Sequence, residues 1–151
     1  SCGELFRICD TLLAFFDYCR NELEVMDGNG KTRRTLPIRF HLDADKGLVS
    51  SRSLVATGAA RWKWKPPLIR DEDLQQVYAM FTRGAKVRLC RIDPETGLTA
   101  PGDIITAMFP EKIRIFRREA FYLVKDPGDY GKWRLSKIAL SDAAPDNLTG
   151  Y

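Results

Sequence analysis

Apolar and polar residues follow a helical period at the start of the chain. Within residues 3–26, Leu5, Ile8, Leu12 and Phe16 recur at steps of three and four, which places them on one face of an α-helix. Further apolar residues widen this face, so the pattern predicts a long helix that a sheet or a partner covers. The glycine-rich segment that follows the helical pattern is typical of a helix end.

The rest of the chain is dominated by strand patterns. Large apolar residues occupy every second position of residues 36–42, which predicts a half-buried strand. Pro37 favours an edge position for this strand because it has no backbone N–H. A shorter second helix is expected from Asp71, a candidate N-cap, to Gly84. The further predicted strands are 53–65, 87–92, 104–109, 112–124 (one long strand or a bent pair) and 133–140.

Short turns between the later strands favour antiparallel pairing. The predicted fold class is therefore α+β: a twisted antiparallel sheet of about five or six strands, with the long N-terminal helix and the shorter helix packed on one face. Residues 1–140 are expected to form a single domain. Residues 141–151, which are small and polar, are expected to form a loosely ordered tail.

Composition narrows the class of protein without identifying it. The 151 residues are 44% hydrophobic and 29% charged, with a net charge of +4, which is typical of an ordinary globular domain. No apolar run approaches the ~20 residues that span a bilayer, and no secretion signal is recognisable. These observations predict a cytoplasmic protein, and the mild positive charge permits an anionic partner.

Cysteine and histidine usage argues against metal and disulfide chemistry. Cys2, Cys9, Cys19 and Cys90 form no C-x-x-C pair, and His41 is the only histidine. Metal-site spacing and nucleophile motifs are absent from the sequence. We therefore expect no cofactor, no metal site and no disulfide.

Residues 112–118 carry the most suggestive pattern for binding. In an extended chain their alternate positions share one face, and the residues on it are Lys112, Arg114, Phe116 and Arg118. The isoleucines between them are expected to face the core. Arg117 adds to the cluster, and Lys86 and Arg88 would join it if their strand were adjacent. Cations fix phosphates and an aromatic ring stacks on a base, whereas the alternative is a solvated face with cross-strand ion pairs.

A second candidate is the segment from Arg61 to Lys65. Alternation places Trp62 and Trp64 on one face and Arg61, Lys63 and Lys65 on the other. This separation favours rings packed inward and cations in water. The alternative is that the tryptophans line a pocket or a partner groove, because tryptophan often anchors interfaces.

Acid–base groups and short ligand-binding motifs give little indication of a function. His41, Asp43 and Asp103 are candidate acid–base groups, but no nucleophile is tied to them. Residues 117–121 (RREAF) resemble the entrance of PilZ domains, which bind a cyclic dinucleotide through an Arg-x-x-x-Arg pair. Phe121 or Tyr122 stands where the second arginine is needed, and residues 146–150 depart from the later Asp/Asn-x-Ser-x-x-Gly, so we draw no function from these five residues.

Three functions are compatible with these patterns. The first is a non-catalytic binding module whose basic, aromatic-containing sheet face contacts an anionic partner, either nucleic acid or an acidic protein surface. The second is an interaction or assembly domain that buries its N-terminal helix against a partner or a second copy. The third is an enzyme with a small-ligand pocket in the curled sheet, and of the three we expect it least.

Overall fold

The computed structural model describes residues 2–42, 62–129 and 131–141. In this part of the chain every regular element is a β-strand. The strands are β1 (Gly3–Cys9), β2 (Leu12–Asp17), β3 (Glu22–Asp27), β4 (Thr32–Pro37), β5 (Lys63–Arg70), β6 (Val77–Arg83), β7 (Lys86–Arg91), β8 (Asp103–Ile105), β9 (Glu111–Phe116), β10 (Glu119–Lys125) and β11 (Trp133–Ala139). The predicted α+β class is therefore wrong, and the described part is all β.

The strands form three antiparallel sheets. Sheet A has the order β1-β2-β3-β4, sheet B the order β5-β6-β7-β8, and sheet C the order β11-β10-β9. One core joins sheet A to sheet B, and a second core joins sheet B to sheet C. Sheet B is thus the middle layer, with apolar residues on both of its faces.

Strand β6 shows why the second helix prediction is wrong. Val77 and Phe81 belong to the core that faces sheet A, whereas Tyr78 and Met80 pack into the core that faces sheet C. A strand buried on both faces carries a nearly continuous apolar run, and such a run also satisfies a helical period. Residues 71–76 form a bridge and a turn before the strand instead of a helix.

The long helix predicted for residues 3–26 is also wrong. These residues form β1, β2 and β3, with a tight turn at Asp10 and Thr11. In β2, Ala14 and Phe16 are buried while the other four residues are half-buried. Apolar residues are dense enough here to occupy both faces of the strands. Their spacings therefore include the two-residue period of a strand and also the three- and four-residue spacings of a helix, which is why the sequence predicted a helix.

Other predictions agree in part with the structure. The bent-pair reading of 112–124 corresponds to the β9–β10 hairpin, and the strand predicted at 133–140 corresponds to β11. Strand β4 lies at a sheet edge but ends at Pro37, so residues 38–42 are not part of it. The start of the predicted strand 53–65 and nearly all of the predicted tail lie outside the described residues. Nowhere in the described ranges is there a helix long and apolar enough to cross a bilayer.

A disulfide joins Cys2 to Cys19, contrary to the sequence-based expectation. Gly3 is paired with Asp17, and the Tyr18 N–H donates to the Cys2 carbonyl at 2.7 Å. This hairpin pairing brings the two cysteine Cα atoms to 5.5 Å, within the usual range for a disulfide. A helix over residues 3–26 would have kept the two cysteines apart, whereas the hairpin that forms instead brings them together.

The Asp71 side chain connects sheet B to the β9–β10 hairpin. Its carboxylate is fully buried and accepts four backbone N–H groups. Two come from its own turn, from Asp73 and Leu74, each at 2.9 Å. The other two come from Arg117 at 3.1 Å and Arg118 at 2.7 Å. Burial raises the pKa of Asp71, but these hydrogen bonds to the charged form outweigh it, and the pKa lies below its ordinary value.

The hairpin turn that Asp71 holds is unusual for its sequence. Arg117 and Arg118 have φ values of 50° and 60°, the left-handed conformation that two-residue hairpin turns require and that Asn-Gly normally supplies. A residue with a Cβ pays about 1–2 kcal/mol for this conformation. The buried Asp71 carboxylate offsets that strain, because the backbone N–H groups of both arginines donate hydrogen bonds to its oxygens.

A second carboxylate ties sheet A to sheet B. Glu4 on β1 accepts the Leu68 N–H of β5 at 3.1 Å and the Tyr18 hydroxyl at 2.5 Å. Burial and the hydrogen bond to Glu4 both raise the pKa of Tyr18. The hydroxyl therefore stays protonated and keeps donating to Glu4 at neutral pH.

We predict that Asp71→Asn lowers the free energy of unfolding by about 2–4 kcal/mol, because the amide cannot accept all four N–H groups. Since the folded pKa of Asp71 is depressed, its contribution is present above the unfolded pKa of about 3.9 and is lost as the pH falls through the lower folded pKa. Urea unfolding at pH 7 and at a series of acidic pH values measures both effects. Asp73→Asn, which removes an exposed ion pair, is the control and should change stability by less than about 1 kcal/mol. An equal loss in both variants would contradict the role given to Asp71.

We predict that Cys2→Ser lowers the free energy of unfolding by about 2–3 kcal/mol, because the disulfide closes a loop across the first hairpin. Denaturant unfolding with and without reductant measures this, and reduction of the unsubstituted chain should reproduce the loss. Cys9→Ser is the matched control, since Cys9 is a free thiol. Stability that does not respond to reductant would rule out the disulfide.

Candidate binding face and adjoining cleft

The strand register of sheet C defines one outward surface. Phe121 on β10 lies opposite both Arg114 on β9 and Lys137 on β11. Directly opposite residues project to the same side of an antiparallel pair, and every second residue along a strand shares that side. The outer face of sheet C therefore comprises Glu111, Arg114, Phe116, Glu119, Phe121, Leu123, Lys125, Trp133, Leu135, Lys137 and Ala139.

The inner face of the same sheet explains why this surface points outward. Ile115, Ala120, Tyr122 and Val124 alternate with the outward residues and are buried against sheet B. Their burial fixes the register, since a slip of one residue would place them in water. The outer face is therefore positioned by the core behind it.

Aromatic and aliphatic side chains on the outer face are accessible to a partner. Phe116 is 42% exposed, Trp133 is 43% exposed and Leu135 is 68% exposed. Phe121 and Leu123 are half-buried in the middle strand. Leu123 lies directly opposite Leu135, so apolar groups adjoin across β10 and β11, as is typical of a contact surface.

Cations are interleaved with these rings. The Lys125 Nζ lies 5.4 Å from the Trp133 ring centroid, and the Arg117 guanidinium carbon lies 5.4 Å from that of Phe116. Lys137 pairs with Glu119 at 3.2 Å. Among the described residues, no carboxylate comes within 4.0 Å of the Arg114 side chain. The face therefore combines flat rings with positive charge.

A cleft of about 650 Å³ adjoins this face along β9. Its walls are the edge strands β5 and β9, and its lining includes Lys65, Arg70, Lys112 and Arg114. Arg114 thus borders both the cleft and the outer face. Of the cations predicted at 112 and 114, Arg114 lies on this shared boundary, whereas Lys112 lines the cleft alone.

The structure places only some residues of the first predicted binding cluster, residues 112–118 with Lys86 and Arg88, on one surface. Arg114 and Phe116 are exposed on β9 while Ile115 is buried, as the alternation predicted. Lys112 is exposed but has a φ of 55° and lies where the β9–β10 register shifts, so the predicted alternation is interrupted between Lys112 and Arg114. Arg118 is not on the strand, because it and Arg117 form the hairpin turn. The Arg117 side chain pairs with Asp73 at 3.1 Å.

Lys86 and Arg88 do not join that cluster. Their strand, β7, lies inside sheet B and pairs with β6 and β8. Val87 lines the cleft, so its neighbours in sequence project from the other face of the strand. The Arg88 guanidinium lies 4.6 Å from the Trp62 ring centroid, and desolvation lowers its pKa.

The second candidate from the sequence separates as its alternation suggested. Trp62 is 1% exposed and packs in the core between sheets A and B, so its ring is not available to a partner. Trp64 contacts Tyr18 and other rings at the same core. Lys63 and Lys65 are exposed, and of the two only Lys65 lines the cleft. Arg61 lies outside the described residues.

Two of the candidate acid–base groups, His41 and Asp103, are each hydrogen-bonded to a different neighbour. The His41 Nε2 is 2.8 Å from the Asn21 side-chain oxygen, and burial lowers the pKa of His41. Asp103 accepts the backbone N–H and the hydroxyl of Ser141. Asp43 lies outside the described residues. Along the ranges that the structure describes, no three potential ligands converge as a metal site requires.

Several residues of the outer face were missed from the sequence. Trp133, Leu135 and Lys137 alternate along β11, and that pattern was visible. Phe121 falls within the predicted strand 112–124 and the segment that resembles PilZ domains, and Lys125 lies just after that strand, so neither is predicted as a binding residue. What the sequence lacked was the register that sets these three strands side by side.

Comparisons with protein-family models, with curated proteins and with solved structures found no match to this chain. Any function for it is therefore argued from the geometry of the outer face and the cleft.

Proposed function

We propose that this domain is a non-catalytic binding module whose outer face of sheet C contacts single-stranded nucleic acid. The observation that carries the proposal is the mixing of exposed rings and cations on one three-stranded surface. Bases stack on aromatic side chains, while Lys and Arg contact the backbone phosphates. Phe116 and Trp133 would provide the stacking surfaces, and Arg114, Lys125 and Lys137 the phosphate contacts.

A single strand fits this surface better than a duplex does. The rings lie on a sheet surface and do not protrude as a groove-entering helix or arm would. Unstacked bases are available only on a single strand. An acidic protein surface would pair with the cations, whereas a single strand would also supply flat bases that stack on the exposed rings.

The two alternative functions are weakened by the fold. The assembly hypothesis relied on an apolar N-terminal helix, and residues 3–26 form three strands instead. The enzyme hypothesis relied on His41, Asp43 and Asp103. The side chains of His41 and Asp103 bond to Asn21 and Ser141, and Asp43 lies outside the described residues. A cytoplasmic location stays a prediction, and the Cys2–Cys19 disulfide counts against it because disulfides are rare in reducing compartments.

We predict that the domain binds a fluorescein-labelled oligothymidylate and that Trp133→Ala weakens the affinity by about tenfold, the size of one lost base–ring stack. Fluorescence anisotropy at low salt measures the dissociation constant. Affinity should fall as salt rises, because phosphate contacts release counterions. Arg114→Ala should make that salt dependence shallower, by about the slope of one phosphate contact.

Arg20→Ala is the matched control for charge, since Arg20 is exposed in sheet A's β2–β3 turn and far in sequence from the face. Trp133→Phe should retain most of the affinity because it keeps a ring. Binding that is insensitive to salt, or an equal loss in Arg114→Ala and Arg20→Ala, would contradict the proposal. Self-association in sedimentation that Leu135→Asp abolishes, with no oligonucleotide binding, would instead identify the face as a protein interface.

A further inference from the structure

The cleft exists because β5 and β9 meet at one point and separate beyond it. Asp71 and Ile115 form a parallel bridge, and the Glu72 N–H donates to the Ile115 carbonyl at 3.0 Å. Before this point β5 contains Pro66 and Pro67, which have no N–H to offer a neighbouring strand. The next donor, the Leu68 N–H, is used by Glu4. The edge of β5 therefore has few groups with which to pair with β9, and a gap remains.

Apolar side chains from several layers line this gap. Ile69 comes from β5, Met80 from β6, Val87 from β7 and Ile113 from β9, with Phe6 from sheet A. A body of hydrocarbon or a flat ring placed against them would leave water for an apolar surface. The volume of about 650 Å³ lies within the range of small-molecule sites.

The two walls carry an excess of positive charge. Lys65 and Arg70 stand on the β5 wall and Lys112 and Arg114 on the β9 wall, against the carboxylates of Glu72 and Glu111. The Arg70 guanidinium donates to the Arg7 carbonyl at 3.3 Å. In the described structure, Lys65, Lys112 and Arg114 have no carboxylate within 4.0 Å. Cations on opposite walls of an apolar cleft favour an anionic group between them.

We propose that this cleft binds a small amphipathic anion, a molecule with an apolar body and a phosphate or carboxylate head group. The body lies on Met80, Val87 and Ile113, and the head group lies between Lys65 and Lys112. This inference does not depend on nucleic-acid binding by the outer face. It uses different residues except for Arg114, which borders both.

Methyl NMR of the full chain tests the proposal directly. The chain has three methionines, and Met80 lines the cleft whereas Met26 lies in sheet A. Titration with decyl phosphate and, separately, with decanoate, which have similar alkyl chains, should move the Met80 methyl signal in a saturable manner and leave that of Met26 in place. The stronger of the two ligands assigns the head group as phosphate or carboxylate. Inorganic phosphate lacks an apolar body, so its dissociation constant should be higher by a factor of about ten or more.

A charge-reversal pair supplies the matched variants. Lys65→Glu with Lys112→Glu should raise the dissociation constant at least about tenfold, because two charge-assisted contacts are lost. Lys63→Glu with Lys86→Glu makes the same change of net charge away from the cleft and should leave binding unchanged. An unchanged Met80 signal in both titrations, binding of inorganic phosphate as tight as that of the amphiphiles, or an equal loss in the two double variants would overturn the proposal.

Trp133→Ala separates this inference from the proposed function. That substitution should weaken oligonucleotide binding and leave the Met80 titration unchanged. A loss of ligand binding in the cleft on Trp133→Ala would show that the cleft does not act as a site of its own.

Discussion

The buried carboxylate of Asp71 is the interaction on which the arrangement of sheets B and C depends. It accepts backbone N–H groups from two segments that are distant in sequence, the turn after β5 and the β9–β10 hairpin. Burying a charge is unfavourable unless it is fully hydrogen-bonded, and four donors meet that condition here. The same contacts hold two arginines in a left-handed turn. The placement of β9, and with it both the outer face and the cleft, follows from this carboxylate.

The alternation of single strands could be read from the sequence, but the choice between helix and strand could not be made where both faces are buried. In β6, Tyr78 and Phe81 serve opposite cores, and their spacing of three matches a helix equally well. The same ambiguity affected residues 3–26. The β9–β10 turn gave no signal because Arg117 and Arg118 replace the usual Asn-Gly, and their conformation depends on Asp71, 46 and 47 residues away. Asp71 itself was read as a helix cap, and it does accept local N–H groups.

The candidate site was partly predictable, because alternation along one strand depends on neighbouring residues whereas the adjacency of strands does not. Alternation along β9 correctly separated Arg114 and Phe116 from Ile115, since that depends only on neighbouring residues. Whether Arg88 would join them depended on which strands are adjacent, and here Arg88 faces the other core. The cleft depends on where two edge strands diverge, which prolines at 66 and 67 influence but do not specify. Long-range register, which one sequence does not contain, decides all of these.

The middle position of sheet B has a consequence for how the molecule responds to stress. One strand, β6, supplies Phe81 to one core and Met80 to the margin of the other. If either outer sheet detached, one side of this strand would be wetted while its opposite side remained enclosed. The two cores therefore share a single backbone and act as one cooperative unit. Loss of packing at sheet A or sheet C is transmitted to β6 between them. The A–B pair of sheets and the B–C pair therefore cannot be treated as independent modules.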